Sequence, residues 1–128
     1  MYFLDTTFIV ALFVSNDQWH QKAVEIFEKI KLDEFIISKL VIAETITVLK
    51  NKLNTKEIRE IYRTLPKIVN VIDDYEFFDD AMEIFVKYDS KISFFDSMYI
   101  YLKKKENITE IISFDSDFDR VNGINRIH

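Results

Sequence analysis

The sequence predicts an α/β domain with a central, mainly parallel sheet flanked by helices. Short apolar segments alternate along the chain with longer segments whose apolar residues recur at helical spacing. This alternation is typical of strand–helix–strand units, in which consecutive strands run parallel. One glycine and one proline among 128 residues leave little room for linkers, so we expect residues 1–128 to form one domain.

The strands are predicted from short apolar runs that contain β-branched or aromatic residues. The first run ends at Leu4, directly before an aspartate, and the last is a two-residue run close to the C-terminus. In chain order, the predicted strands are Tyr2–Leu4, Phe35–Ile37, Val69–Ile72, Ile111–Phe114 and Arg126–Ile127.

Helices are predicted where apolar residues return every three or four positions, as Trp19, Ala23 and Ile26 do. Ser38 is a favourable N-cap for the helix that follows it. Pro66 is expected to end or distort its helix, because proline lacks the N–H that a helix interior requires. The predicted helices are Thr6–Phe13, Trp19–Ile30, Ser38 to about Lys50, Thr55 to about Pro66, Tyr75–Tyr88 and Phe94–Lys105, with a short helical turn after Asp115.

Composition excludes several classes of site. The chain has no cysteine and two histidines, so a thiolate site is impossible and a zinc site is disfavoured. The formal net charge of -5 argues against broad electrostatic wrapping of nucleic acid, and a nucleic-acid substrate would have to be held locally. No apolar run approaches the roughly 20 residues of a membrane span. We therefore expect a cytoplasmic protein without membrane contact.

Four acidic residues each lie beside an apolar segment, where carboxylates are uncommon. They are Asp5, Glu44, Asp96 and Asp115. Two of them directly follow predicted strands, and the other two are expected in the first turns of helices that begin near strand ends. Because ligand sites form beyond the carboxyl ends of parallel strands, we expect these carboxylates to converge. Converging, desolvated carboxylates are costly unless a cation compensates them, so the sequence predicts an oxygen-lined site for a divalent metal ion.

Three of these acids also have a purely structural explanation. Asp5 fits the N-cap of the following helix, and Asp115 fits an Asx-turn. Asp96 completes the Ser-x-x-Asp pattern of a capping box with Ser93. Capping does not explain Glu44, which lies on an apolar helical stripe without a basic partner. Because all four acids are expected at the same edge of the sheet, one shared site is a better explanation than separate caps.

Neighbouring polar residues extend the candidate site. Asp117 and Asp119 follow the last acid closely, and either could replace it or extend the cluster, although a solvated turn is the better explanation for Asp119. Thr6 and Thr7 follow the first acid. Their hydroxyls could bond to that acid or to a substrate phosphate, and an ordinary role at the start of a helix is equally consistent.

Four segments resemble, in order and spacing, the motifs of the PIN-domain ribonucleases, in particular the VapC toxins of toxin–antitoxin pairs. They are Phe3–Leu12, Ile37–Glu44, Phe95–Ile100 and the closing segment Ser113–Ile124. The resemblance covers the whole chain and implies a PIN-like fold with three layers. Ser113 stands where the closing motif usually has threonine, so Asp115 and Asp117 remain alternatives for the fourth acid.

The resemblance implies an endoribonuclease that depends on Mg²⁺ or Mn²⁺, ions that oxygen ligands suit. In such a site the ion activates water and no side-chain nucleophile is needed. The implied catalytic and metal-binding residues are Asp5, Glu44, Asp96 and Asp115, with Asp117 as the alternative ligand and Thr6 and Thr7 in support. An RNA substrate, a cognate antitoxin protein and a homodimer are implied as well.

Residues that grip the substrate are harder to identify. For each candidate taken alone, a solvated charge or a place in the core explains the residue no less well than a contact with RNA does. The candidates for phosphate contacts are Lys39, Lys50, Lys91 and Arg120, and those for base stacking are Phe8 and Trp19. We interpret His20 as structural. An antitoxin is expected to pack near Phe8, Leu12 and Trp19 and to direct an arginine or lysine toward Asp5 and Asp96.

Three other functions remain open. A PIN-like nuclease that processes RNA outside any toxin system would share the same acids. A small metal-dependent phosphatase would usually carry Asp-x-Asp after the first strand, which this chain lacks. A catalytically silent module would bind RNA or protein without cleaving it, and four intact acids argue against such a loss of function.

Overall fold

A computed structural model describes residues 1–108, 110–121 and 123–128. Asn122, which belongs to the closing segment of the predicted family motifs, lies outside the described residues.

The centre of the fold is a five-stranded sheet in which every pair of neighbours is parallel. Its strands are β1 (Tyr2–Leu4), β2 (Phe35–Ser38), β3 (Asn70–Ile72), β4 (Glu110–Ile112) and β5 (Arg126–Ile127). Their spatial order is β3-β2-β1-β4-β5. The chain leaves β1 toward β2 on one side and later returns to β4 on the other, so the strand order reverses at β1. Open parallel sheets bind ligands beyond the carboxyl ends of the strands at such a reversal.

Helices connect and flank the strands. They are α1 (Thr6–Phe13), α2 (His20–Ile30), α3 (Lys39–Leu49), α4 (Thr55–Ile68), α5 (Phe78–Lys87) and α6 (Phe94–Lys105), with short 3₁₀ helices at Asp74–Phe77 and Ser116–Arg120. Helix α1 packs against α2 and α3, and α5 packs against α6. None of the helices in the described ranges is long and apolar enough to cross a membrane.

The α/β prediction is confirmed, and the sheet is parallel throughout rather than only mainly so. Several element boundaries shift by a residue, and two larger differences have clear reasons. The predicted strand Ile111–Phe114 ends at Ile112, because the Phe114 N–H bonds to the Thr7 hydroxyl at 2.9 Å and so leaves the strand ladder. The predicted helix Tyr75–Tyr88 begins as a 3₁₀ helix, whose start is held by the carboxylate of Asp73.

The prediction that Pro66 ends or distorts its helix is wrong with respect to the end, because α4 continues to Ile68. Proline lacks an N–H and therefore leaves the carbonyl of Tyr62 without its usual helical partner. Both residues are exposed, so water can satisfy that carbonyl. The loss falls in the last turn, where the helix has few further bonds to lose.

Aromatic packing joins the elements that surround the reversal point. Phe3 on β1 packs against Tyr99 on α6 with ring centroids 4.9 Å apart. Tyr99 in turn meets Phe118 of the second 3₁₀ helix edge-on at 5.5 Å. All three rings are at most 1% exposed, so burial of their large apolar surface fixes α6 and the 3₁₀ helix against β1.

Candidate active site

A pocket of about 360 Å³ opens beyond the carboxyl ends of β1 and β4. Its lining includes five of the six acids named as candidates from the sequence, all except Asp119. These are Asp5, Glu44, Asp96, Asp115 and Asp117, joined by the basic residues Lys91 and Arg120. The fold therefore brings together carboxylates that lie up to 112 positions apart in the chain, between positions 5 and 117.

Asp5 forms the floor of this pocket and is 4% exposed. It directly follows β1, and its N–H donates to the carbonyl of Ile112 at the end of β4. Asp5 occupies the N-cap position of α1, yet its side chain makes no capping hydrogen bond. Burial raises the pKa of Asp5, against the opposing effect of hydrogen bonds from two hydroxyls. Capping alone therefore does not explain this residue.

Two hydroxyls orient the Asp5 carboxylate. Ser113 Oγ donates to Asp5 Oδ2 at 2.7 Å, and Thr7 Oγ1 donates to the same oxygen at 2.9 Å. Each hydroxyl also accepts a hydrogen bond from a backbone N–H. Ser113 Oγ accepts the Asp115 N–H at 3.0 Å, and Thr7 Oγ1 accepts the Phe114 N–H at 2.9 Å. A hydroxyl has one proton, so both protons are committed to Asp5 and the 3.2 Å contact between the two hydroxyls is simple proximity.

This arrangement distinguishes the two threonines. Thr7 is the residue that holds Asp5, whereas the hydroxyl of Thr6 is buried and has no hydrogen-bond partner of good geometry among the described residues. Thr6 lies close enough to Glu44 to lower the pKa of that carboxyl, although the contact falls outside hydrogen-bond geometry. The serine that replaces the usual threonine supplies a hydroxyl equally well, because Ser113 makes the shorter of the two bonds to Asp5.

Asp96 is both a cap and a member of the pocket. It lies in the first turn of α6, and the predicted capping box is present: Ser93 Oγ accepts the Asp96 N–H at 2.9 Å, and Asp96 Oδ2 accepts the Ser93 N–H at 3.4 Å. The capping box uses only the Oδ2 atom of this carboxylate. Burial raises the pKa of Asp96, and the negative charges of Asp115 and Asp5 raise it further.

Glu44 lies at the mouth of the pocket. It is the sixth residue of α3 and so belongs to the second turn, not to the first turn in which it was expected. The residue is exposed, although the expectation was a desolvated carboxylate. Its carboxyl nonetheless has a raised pKa, chiefly from partial desolvation and then from the negative charges of Asp5, Asp96 and Asp115. Glu44 is more accessible to solvent than Asp5, Asp96 and Asp115.

Asp115 and Asp117 have different surroundings. Asp115 is half-buried, and its Oδ1 accepts the Asp117 N–H at 2.9 Å, so the predicted Asx-turn is present. Its charge raises the pKa values of Glu44 and Asp96. Asp117 is exposed and lies 3.5 Å from a guanidinium nitrogen of Arg120. These contacts favour Asp115 as the fourth acid and place Asp117 at the rim.

Arg126 holds the segment that carries Asp115, and nothing in the sequence indicated this role. Its Nη1 donates to the Ser113 carbonyl at 3.1 Å, and its Nε and Nη2 donate to the two carboxylate oxygens of Asp119 at 2.8 and 2.7 Å. The Arg126 side chain is 8% exposed. Asp119 is exposed and pairs with arginine, and this hydrogen bond lowers the pKa of Asp119. The clamp therefore spans both ends of the acidic segment.

We predict that Arg126→Ala lowers RNA cleavage about 10-fold and lowers the free energy of unfolding by about 1–2 kcal/mol. Arg126→Lys should restore charge but not the planar fork, and so should recover only part of the activity. Thermal melting and initial cleavage rates check both variants. Equal rates in wild type and Arg126→Ala would show that the segment holds its shape without the clamp.

The chemistry of the pocket fits a divalent cation. Its donors are carboxylate oxygens, which hard ions prefer, and three of the acids have raised pKa values. Across the described ranges, no Lys or Arg side chain forms an ion pair with Asp5, Glu44, Asp96 or Asp115. In the same ranges, no three carboxylate or histidine side chains already enclose a metal position. Rotation of exposed side chains such as Glu44 would be needed to complete one.

Only some of the residues predicted to contact the substrate lie at the acidic pocket. Lys91 and Arg120 line the acidic pocket, whereas Lys39 pairs with Asp73 at 3.2 Å and Lys50 is not part of the lining. Phe8 is fully buried, so the prediction that it stacks on a base is wrong. A side chain enclosed by the core has no surface to offer.

His20 makes a structural contact, in line with its interpretation from the sequence. Its Nδ1 donates to the carbonyl of Ala11 at 2.8 Å, which joins the start of α2 to α1. It is absent from the residues that line the acidic pocket.

Several solved structures are similar to this chain. VapC20 from Mycobacterium tuberculosis, a toxin that cleaves the sarcin-ricin loop, is 24% identical, with a TM-score of 0.81 over 93% of each chain. A toxin–antitoxin complex from Klebsiella pneumoniae is 17% identical, with a TM-score of 0.70 over 100% of this chain and 97% of the other. VapBC2 from Rickettsia felis, bound to a DNA fragment from its promoter, is 16% identical, with a TM-score of 0.70 over 98% and 96%.

These structural likenesses show a shared fold. A search of curated protein sequences finds no significant match. The model of the PIN domain family matches residues 2–124. Because that match spans nearly the whole sequence, the chain belongs to the PIN-domain family, as its four acidic motifs predicted.

Proposed function

We propose that this PIN domain is a divalent-metal-dependent endoribonuclease and the toxin of a VapBC-type toxin–antitoxin pair. The observation that carries the proposal is the convergence of Asp5, Glu44, Asp96 and Asp115 on one pocket without a compensating ion pair in the described ranges. The similarity to VapC20, whose described activity is cleavage of an RNA loop, supports RNA as the substrate.

Mg²⁺ or Mn²⁺ is the proposed cofactor, held by Asp5 and Asp96 with Glu44 and Asp115. Such an ion lowers the pKa of a water molecule and neutralises charge that develops on a phosphate. The chain itself supplies orientation, because both hydroxyls bond the same oxygen of Asp5, Oδ2, and the capping box uses only Oδ2 of Asp96.

Of these four acids, Glu44 is the one that we propose as general base, with a carboxylate oxygen that is not committed to the ion. It lines the pocket, the residue is exposed to solvent, and no Lys or Arg in the described ranges pairs with it, so its carboxylate can reach a water molecule in the pocket. We propose that Lys91 and Arg120, which line the pocket, contact RNA phosphates. This local pair of cations suits a protein whose net charge of -5 would otherwise repel RNA.

Substrate class is tested by offering the purified protein single-stranded RNA, duplex RNA, single-stranded DNA and p-nitrophenyl phosphate under the same Mn²⁺ conditions. We expect internal cleavage of single-stranded RNA and negligible release of nitrophenol. Nitrophenol release without RNA cleavage would favour the phosphatase, and RNA binding without cleavage would favour the catalytically silent module.

The proposed antitoxin presents a basic residue to the acidic pocket. A guanidinium pairs with two carboxylate oxygens at once, and the pocket offers buried carboxylates without an ion-pair partner in the described ranges. We expect co-expression with a small protein encoded beside this chain to give a stable complex with suppressed RNA cleavage. Replacement of the partner's basic residue by alanine should restore cleavage. Unchanged growth on overexpression of the chain alone would argue for a processing nuclease instead.

We also propose a homodimer formed through α5. Phe78, Met82 and Val86 repeat every four residues on this helix and are 37%, 47% and 60% exposed, so they form an apolar stripe on the surface. Sedimentation should show a dimer that Val86→Glu converts to a monomer. A monomeric wild type would refute the dimer without affecting the nuclease proposal.

A further inference from the structure

Trp19 presents a flat aromatic surface outside the acidic pocket. Its ring stacks on Phe114 with a centroid distance of 5.2 Å and an interplanar angle of 6°. Phe114 in turn packs against the buried Phe8 at 6.2 Å. Although one face is covered in this way, Trp19 remains 45% exposed. The stack is thus anchored in the core at one end and open at the other.

The same stack is joined directly to the acidic site. Phe114 lies between Ser113 and Asp115, and its N–H donates to the Thr7 hydroxyl that bonds Asp5. The backbone N–H of Trp19 donates to Asp17 Oδ1 at 2.8 Å, and this bond fixes the backbone that carries the indole. The segment that carries Asp115 into the acidic pocket therefore also carries the ring on which Trp19 stacks.

The surroundings of Trp19 suit a nucleotide. A cleft of about 800 Å³ is bounded by Trp19 and Phe114 together with Gln18, Gln21, Lys22 and Ser116. The amides can form hydrogen bonds with base edges, and exposed Lys22 can contact a phosphate. Glu25 also lines the cleft and Arg126 is committed to Asp119, so the local charge is mixed. Stacking, more than charge, would provide affinity here.

We propose that Trp19 is the stacking platform for an unpaired base of the RNA, in a nucleotide that flanks the cleaved phosphate. This inference rests on the proposed ribonuclease function and specifies how the substrate is held. Every base has a π-face, so such a platform tolerates different sequences and selects for single strands over duplexes. A residue that merely covers Phe114 would need an apolar side chain but no aromatic ring.

The experiment uses the fluorescence of Trp19, which is the only tryptophan of the chain. Asp5→Asn serves as the background so that bound RNA is not cut. We expect short single-stranded RNA to quench the tryptophan emission in a saturable manner, and an oligonucleotide with an abasic site at the stacked position to quench it much less. Duplex RNA should also quench weakly.

Affinity is measured separately by the anisotropy of labelled RNA. In the same background, Trp19→Leu keeps an apolar cover over Phe114 and should weaken binding roughly 5- to 150-fold, the range expected for loss of one base–aromatic stack. Trp19→Phe should retain most of the affinity. Tyr62→Leu is the matched control, because Tyr62 is an exposed aromatic residue on α4 outside both clefts and should leave binding unchanged.

In the binding experiments, either of two results would overturn the platform. One is RNA binding that leaves the Trp19 emission unchanged, and the other is equal affinity in Trp19→Leu and its parent. Quenching by a co-purified protein partner but not by RNA would likewise assign this surface to a protein contact. The nuclease proposal is tested independently, by RNA cleavage in the wild-type protein. If Trp19→Leu in the otherwise wild-type protein cleaves RNA with a normal KM, only the platform is refuted. If RNA quenches Trp19 in a base-dependent manner but wild type does not cleave it, only the nuclease is refuted.

Discussion

Asp5→Asn should reduce RNA cleavage by more than about 100-fold while the protein remains folded. Loss of residues that merely support a metal ligand typically costs 10- to 100-fold, so loss of a ligand charge at the pocket floor should cost at least as much. The amide oxygen can still accept the hydroxyl protons of Thr7 and Ser113. Initial rates on a labelled single-stranded RNA measure the effect.

The same change should stabilise the metal-free protein at neutral pH. Burial raises the pKa of Asp5 above its unfolded value, so its contribution to stability is fully present below the ordinary carboxyl pKa of about 3.9 and is lost as pH rises through the raised pKa. An asparagine does not ionise and avoids that loss. The melting temperature of Asp5→Asn minus that of wild type, in EDTA, should therefore increase as pH rises from about 4 to 7.

With divalent metal present, the wild type should have the higher melting temperature and Asp5→Asn the lower one. A ligand at 100 times its dissociation constant stabilises the state that binds it by about 2.7 kcal/mol, so Mn²⁺ should raise the melting temperature of wild type but not of Asp5→Asn. Asp33→Asn, at an exposed position between α2 and β2, is the control and should behave as wild type. A lower melting temperature of Asp5→Asn in EDTA at every pH would instead indicate that Asp5 has a structural role.

Asp96→Asn should also lower cleavage by more than about 100-fold, and the chain contains its own control for this variant. A second capping box, formed by Asn54 and Glu57, starts α4. Glu57 accepts the Asn54 N–H at 3.4 Å, as Asp96 does with Ser93, but Glu57 does not line the acidic pocket. Glu57→Gln therefore makes the same chemical change at a cap without touching the site.

Both variants keep a capping oxygen, so both should melt within a few degrees of wild type, since a whole cap is worth about 1 kcal/mol. Only Asp96→Asn should lose activity and Mn²⁺-induced stabilisation. If the two variants cleave RNA equally well, Asp96 is a cap and nothing more. Circular dichroism melts and cleavage rates of the two purified variants decide between these outcomes.

Local signals were sufficient for much of the fold. The bounds of β1, α1 and α6 agree with their predicted ranges, because an apolar run, a following aspartate or a capping serine marks each end. Pro66 was misjudged because its effect depends on position: in an exposed last turn the missing N–H has little consequence. The strand β4 was predicted too long because the Thr7 hydroxyl, 107 residues away, binds the Phe114 N–H.

The site was predictable as a set of acids but not as a network. The capping and metal-site explanations of Asp96 both fit the sequence, and both remain compatible with the structure since a carboxylate has two oxygens. The Arg126 clamp had no sequence signal, because it requires β5 to pair with β4 before the guanidinium reaches Ser113 and Asp119. The convergence of the hydroxyls of Thr7 and Ser113 likewise depends on the adjacency of β1 and β4.

The most direct test of the acidic pocket as a metal-dependent nuclease site is the rate of single-stranded RNA cleavage by wild-type protein that has been stripped with EDTA and titrated with Mn²⁺. We predict no cleavage above background in EDTA and a rate that rises and saturates with added Mn²⁺. Cleavage at full rate in excess EDTA would contradict this account of the pocket.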